Sequence, residues 1–130
     1  MKHKLKKFEK IQRKISKQIC NKSNFYNKSY TERRDILGIK TLEVRHKYSI
    51  LKQLYECLNN CPSIPSNWVS KFEFNTNLRN GKLLLRPKTR NNFTDKNLFM
   101  YSIELFNSLP KNIRNEIHCK TFLTKCLDFL

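Results

Sequence analysis

Apolar residues recur every three or four positions through most of this chain. Only helices packed against one another can bury such a spacing on one side. Residues 4–20 carry the pattern at Leu5, Phe8, Ile11, Ile15 and Ile19, an arc of about 120° on a helical wheel. Lys6, Lys7, Lys10, Arg13, Lys14 and Lys17 fall on the other side, with Lys4 the exception. The polar stretch Asn21 to Asn27 breaks this helix. Ser29-x-x-Glu32 is a capping box that opens a short helix to about Leu37, and Gly38 ends it as a left-handed C-terminal residue. Thr41 suits the cap of a longer helix to about Asn59, with an apolar stripe of Val44, Tyr48, Leu51, Leu54, Tyr55 and Leu58.

Cys61-Pro62 and Ile64-Pro65 stop helix formation, because proline restricts the residue before it. Beyond them Phe72 and Phe74 alternate with charges, as on a half-buried strand. Asn80-Gly81, between Leu78 and Leu83–Leu85, is a hairpin signal, since a type I′ turn needs two residues at positive φ. From Thr94, a suitable cap, a helix apolar on both sides runs to about Asn107. Pro110 suits the first turn of a short helix to Ile117. Phe122, Leu123, Cys126, Leu127 and Leu130 line a last helix, and Leu109, Ile113 and Phe122 are expected to close one core. The expected fold is mainly α: a small helical domain of about six helices with one short β-hairpin. Its expected divisions are a basic helical segment over 1–60, a proline-containing linker and hairpin over 61–93, and a C-terminal helical segment over 94–130 that packs on the first to make one unit.

The chain has 130 residues and a net charge of +17. Residues 1–47 carry 15 Lys and Arg against four acids, whereas residues 48–130 carry 12 against six. A basic first third suits a polyanion. It also suits a solvated face or, less well, an anionic membrane surface, for which the first helix lacks Trp. Lysines along one helix face can follow a phosphate backbone and release counterions. The candidates are Lys6, Lys7, Lys10, Arg13, Lys14 and Lys17, with a second group at Arg33, Arg34, Arg45 and Lys47. For Arg33 and Arg45 a structural role, pairing with Glu32 or Glu43, competes equally. Trp68, the only Trp, suits either a packing anchor or a platform for a base.

Five cysteines, Cys20, Cys57, Cys61, Cys119 and Cys126, are too loosely spaced for a disulfide framework. Nor do they form the tight pairs of a structural zinc site, and Cys57 and Cys126 fall on or near apolar stripes. No metal and no cofactor is expected. Charges interrupt Leu5, Phe8 and Ile11, so no signal-peptide core exists, and no apolar run is long enough to span a bilayer. The expectation is a reducing intracellular compartment, cytoplasm or nucleus.

Two blocks carry a family resemblance. The first, Ser29 to Leu58, holds Tyr30, Glu32, Arg33, Leu37, Leu42, Glu43, Arg45, Leu51 and Tyr55. The second, Thr89 to Leu130, holds Phe99, Tyr101, Phe106, Asn107, Leu109, Pro110, Ile113, Arg114, Phe122 and Leu127. Together they resemble the thumb and following C-terminal region of reverse transcriptases of non-LTR retrotransposons. Phe106 stands where that family has Trp, His46 where a second Arg is common, and Thr124-Lys125 breaks the family's Phe-Lys pair. The palm's metal-binding carboxylates have no counterpart: Asp35, Asp95 and Asp128 are the only Asp residues and lie far apart in sequence. Two-metal polymerisation needs carboxylates that hold ions about 4 Å apart. The resemblance thus implies a non-enzymatic fragment of an RNA-directed DNA polymerase. Residues 4–47 would lie against RNA or an RNA–DNA hybrid, residues 89–130 would brace them, and the palm and fingers of a parent polymerase would be a further partner. The competing expectation is a remnant or protein-interaction module derived from a transposable element, which an exposed apolar patch would favour.

Overall fold

The computed structural model describes residues 2–75, 82–88 and 97–130. Among them are seven helices and one two-stranded antiparallel sheet, so the chain is mainly helical with a small hairpin-like pair. The helix beyond the six expected is a single turn after Pro65. The chain divides into two units, one ending at His46 and one spanning Lys47–Leu130.

The first unit holds α1 (Lys2–Lys22), α2 (Tyr30–Leu37) and the opening of α3 (Leu42–Leu58). Asn24, at φ 62°, ends α1, and Phe25 N donates back to Cys20 O at 2.9 Å, the six-to-one closure of a Schellman turn. The capping box on α2 is fully formed. Ser29 Oγ accepts from Glu32 N at 3.2 Å, and Glu32 Oε2 accepts from Ser29 N at 2.7 Å. Gly38 at φ 63° closes the other end, with Ile39 N donating to Arg34 O at 2.9 Å. Thr41 caps α3 through Oγ1, which accepts from Val44 N at 3.3 Å.

The second unit adds α4 (Ser66–Val69), β1 (Phe74–Asn75), β2 (Leu83–Leu84), α5 (Leu98–Asn107), α6 (Lys111–Arg114) and α7 (Cys119–Phe129). β1 and β2 pair as Phe74 with Leu84 and Asn75 with Leu83. The expected Asn80-Gly81 turn lies outside the described residues. So does Thr94, and the cap of α5 is Asn97, whose Oδ1 accepts from Met100 N at 2.9 Å. Asn97, at an extended φ/ψ, thereby satisfies a first-turn amide of α5. α6 ends at Arg114, short of the expected Ile117. Glu116 Oε1 takes the backbone amides of Ile117 and His118, at 3.1 and 3.3 Å, out of any helical ladder.

The core of this unit draws on α3 (Leu51, Leu54, Tyr55), β2 (Leu84), α5 (Ile103, Phe106) and α7 (Phe122, Cys126), closed by Leu109 and Ile113. Phe122 is wholly buried and stacks on Tyr55 with ring centroids 4.5 Å apart. The Tyr55 hydroxyl donates to Ile117 O, which ties α3 to the turn before α7. Asn107 supplies the missing edge of β2: its Oδ1 accepts from Leu84 N at 2.9 Å and its Nδ2 donates to Leu84 O at 3.0 Å. One side chain thus replaces a neighbouring strand. Arg114 Nη1 donates to Asn107 O at 2.9 Å and holds the Leu109-Pro110 corner. The expected core of Leu109, Ile113 and Phe122 forms. In α3 the buried stripe shifts to include Ile50 and Cys57, while Val44, Tyr48 and Leu58 are half-buried.

Replacing Phe122 by Ala should lower the stability of this unit by about 3–5 kcal/mol, read as a lower urea midpoint. Acid should also weaken the fold at two places. Hydrogen bonds from Ser29 hold the Glu32 carboxyl below its ordinary value of 4.5. Lys125 first, then the amide of His118, does the same for Glu116. The unfolded chain binds these protons more tightly, so the stabilisation is complete above about pH 5 and drains away as pH falls through and below 4.5. A denaturation series from pH 7 to pH 3 should show that decline, and the double variant Glu32→Gln, Glu116→Gln should show a shallower one.

Candidate nucleic-acid interface

α1 has three faces. The face turned into the first unit is a polar one: Leu5, Glu9 and Gln12 are half-buried, and Ser16 and Cys20 are buried at 2% and 1% exposure. These residues sit at spacings of three and four, a second stripe running beside the apolar one. Glu9 is its centre. Its Oε1 accepts from the Tyr30 hydroxyl at 2.5 Å, and its Oε2 accepts from Leu42 N at 2.9 Å. One carboxylate therefore ties α1 to α2 and also serves the amino end of α3, where negative charge is favoured. Gln12 Nε2 donates to Tyr30 Oη at 3.0 Å and to Lys40 O at 3.3 Å. Burial, then the bond to Glu9, pushes the Tyr30 phenol above its ordinary value of 10.

Sequence reasoning missed this seam. Its signal was present in the order Leu5, Glu9, Gln12, Ser16, Cys20, but an amphipathic reading assigns Glu9, Gln12 and Ser16 to solvent. The apolar stripe is what faces outward: Phe8, Ile11 and Ile15 are 58%, 51% and 50% exposed, and Ile19 is 42% exposed.

The third face is basic. Lys6, Lys7, Lys10, Lys14 and Lys17 are all exposed. They form a row on the order of 16 Å long at 1.5 Å per residue. Arg13 is also exposed but turns its guanidinium over the Tyr30 ring, 4.8 Å from the centroid. Arg34 and Arg33 approach the same ring at 5.3 and 5.8 Å. Arg33 further donates to Lys28 O at 2.5 Å and to Ser16 Oγ at 3.4 Å. Arg34 is half-buried, and its Nε is buried with no hydrogen-bond partner among the described residues. Arg45 donates from Nη1 to Gln12 Oε1 at 3.3 Å. Lys47 is half-buried further along α3.

The sequence candidates thus fall into two groups. The lysines of α1 stand together in solvent. Arg13, Arg33 and Arg34 gather around Tyr30, and Arg45 joins Gln12. The Glu32 carboxylate is taken by Ser29 N and lies 3.9 Å from Lys28.

Among the described residues no group of three or more His, Cys, Asp or Glu could hold a metal ion. Cys126 is buried in the α7 core and its thiol is pushed up to about 12 by desolvation. Cys57 is buried and shifted upward for the same reason. Thiols held neutral in this way are poor nucleophiles and poor metal ligands. No helix among the described residues is long and apolar enough to cross a membrane. Comparison with family models, curated proteins and solved structures finds no significant match to this chain.

Tyr30 meets Glu9 and Gln12 of α1 and three guanidinium groups. Tyr30→Phe should cost about 1–2 kcal/mol by leaving Glu9 without its hydroxyl donor. Tyr30→Ala should cost more, since three guanidinium groups then lose their ring. Hydrogen exchange of the α1 and α2 amides, faster in the order wild type, Phe, Ala, is the measurement that checks it.

Proposed function

We propose that this chain is a nucleic-acid-binding helical module. Its proposed partner is RNA or an RNA–DNA hybrid, held by the phosphate backbone without catalysis by the chain itself. The observation that carries this is the row of five exposed lysines on α1, Lys6, Lys7, Lys10, Lys14 and Lys17. Such a row neutralises phosphates and reads shape rather than sequence. The seam around Glu9 supports it by holding the helix so that the lysines stay in solvent. The resemblance to the thumb and post-palm region of non-LTR reverse transcriptases points the same way, with the template–primer duplex as the substrate gripped. Arg13, Arg33, Arg34 and Arg45 would then act by shaping the surface.

A second reading is favoured by one observation, the outward apolar stripe Phe8, Ile11, Ile15 and Ile19. An exposed apolar row of this kind marks a protein-interaction surface or a remnant that has lost its covering. The two readings meet if the palm and fingers of a parent polymerase cover that stripe while the lysines hold nucleic acid.

Fluorescence anisotropy with a labelled RNA–DNA hybrid at two salt concentrations tests the proposal. Wild type should bind with a steep salt dependence. The variant with Lys7, Lys10, Lys14 and Lys17 changed to Gln spares Arg13, which packs on Tyr30. It should bind more weakly, with the log–log salt slope reduced by about 0.9 for each lysine that meets a phosphate. Absence of binding at low salt would leave the protein-interaction reading in its place.

A further inference from the structure

In the second unit, α3, α4 and α5 enclose a cleft of about 290 Å³ whose walls include Ile50, Leu54, Cys57, Trp68, Phe72 and Phe99. Its volume is at the lower end of the ~300–1,000 Å³ of ordinary small-molecule pockets, room for one compact ring system. We infer that this cleft takes a single unstacked nucleobase of a single-stranded nucleic acid, with Trp68 as the stacking wall and Lys71 meeting the adjoining phosphate. The inference rests on the nucleic-acid reading above and adds a site to it.

Three observations carry it. First, Trp68 is 52% exposed, although it is the chain's only Trp and borders an apolar cleft. An indole left half in water beside apolar walls is a ready surface for another ring. Second, its position is fixed from below. Pro65 starts α4, Trp68 N donates to Pro65 O at 2.9 Å, and Ser70 Oγ donates to Asn67 O at 3.2 Å. A further part of the lining is set by the Phe72–Phe99 ring pair, with centroids 4.8 Å apart. Third, Lys71 N donates to Trp68 O at 3.2 Å, so the turn after α4 brings an exposed cation to the same cleft as the indole.

The ligand follows from this combination. Rings and aliphatic walls accept a flat apolar body, and the lysine requires that the body be attached to an anion. A nucleobase carries its own phosphate on either side, and every base has a π-face, so the site would tolerate sequence. Gln53 also lines the cleft and can meet a base edge. A fully charged ligand gains nothing from the walls, and a neutral one leaves the cation unused.

The test uses the full chain and two short strands of equal length, one an oligopyrimidine and one fully abasic. Both carry the same phosphates. Because Trp68 is the only Trp, its emission reports on the cleft alone. The base-bearing strand should quench Trp68 and bind about tenfold tighter than the abasic strand. Trp68→Ala should abolish that difference and Trp68→Phe should keep most of it, both read by anisotropy of the labelled strand. Lys71→Gln should weaken both strands. The inference is overturned if both strands bind equally with Trp68 emission unchanged, an outcome that leaves the α1 interface standing. Occupancy by anilinonaphthalene sulfonate that the base-bearing strand fails to displace overturns it as well. If neither strand nor the RNA–DNA hybrid binds at low salt, the nucleic-acid reading falls first and takes the cleft's ligand with it.

Discussion

The carboxylate of Glu9 decides how the first unit presents itself. A strongly basic 21-residue helix has little reason to lie against a short polar helix and the amino end of a third. It does so because one side chain accepts from both, the Tyr30 hydroxyl and the Leu42 amide. Removing either donor would leave a partly buried charge under-satisfied, which costs more than the bond itself contributes. Once that contact is made, the rotation of α1 about its own axis is set. The lysines and the apolar stripe then have no choice but to point outward on two separate faces.

Arginine chemistry reinforces the same arrangement. Three guanidinium groups around a single phenol ring would repel one another in the absence of compensation. The ring face, the Lys28 carbonyl and the Ser16 hydroxyl supply part of it. Arginine suits this role because its flat, weakly hydrated head stacks well. Lysine, a compact and strongly hydrated charge, is what remains in water along α1. The division of labour between the two cation types, one structural and one available to a polyanion, follows from their shapes.

The second unit rests on a different principle, an apolar core with a few polar clamps. Asn107 shows how a resemblance motif acquires a mechanical meaning. In Phe106-Asn107-Ser108-Leu109-Pro110 the two flanking apolar residues are buried, and the Asn between them pairs with both backbone groups of Leu84. Arg114 then holds the Asn107 carbonyl. Packing and edge satisfaction explain these residues of the block. The surface of the same unit nevertheless carries an aromatic cleft with a cation at its rim, where no such packing need accounts for the exposed indole.

Local signals were readable directly from the order of residues. The Ser29–Glu32 capping box, Gly38 at the end of α2, the Thr41 cap and the helical stripes of α3 and α7 act within a few residues, so short-range geometry suffices. A short strand pair and the Leu109–Ile113–Phe122 core were legible too, the core from the sharp Leu109-Pro110 turn between two helices. The choice among the three faces of α1 was not readable. Periodicity predicts that an apolar stripe turns inward, and it cannot weigh that against a carboxylate whose partners lie 21 and 33 residues away in sequence. The same limit hid the cluster around Tyr30 and the meeting of Trp68, Lys71, Phe72 and Phe99. Sequence alone determined the six helical segments it marked with caps and stripes, though not the single turn of α4, and where the charge lies. Tertiary structure decided which face each helix shows to water, because that depends on hydrogen bonds and ring contacts between residues that only folding brings together.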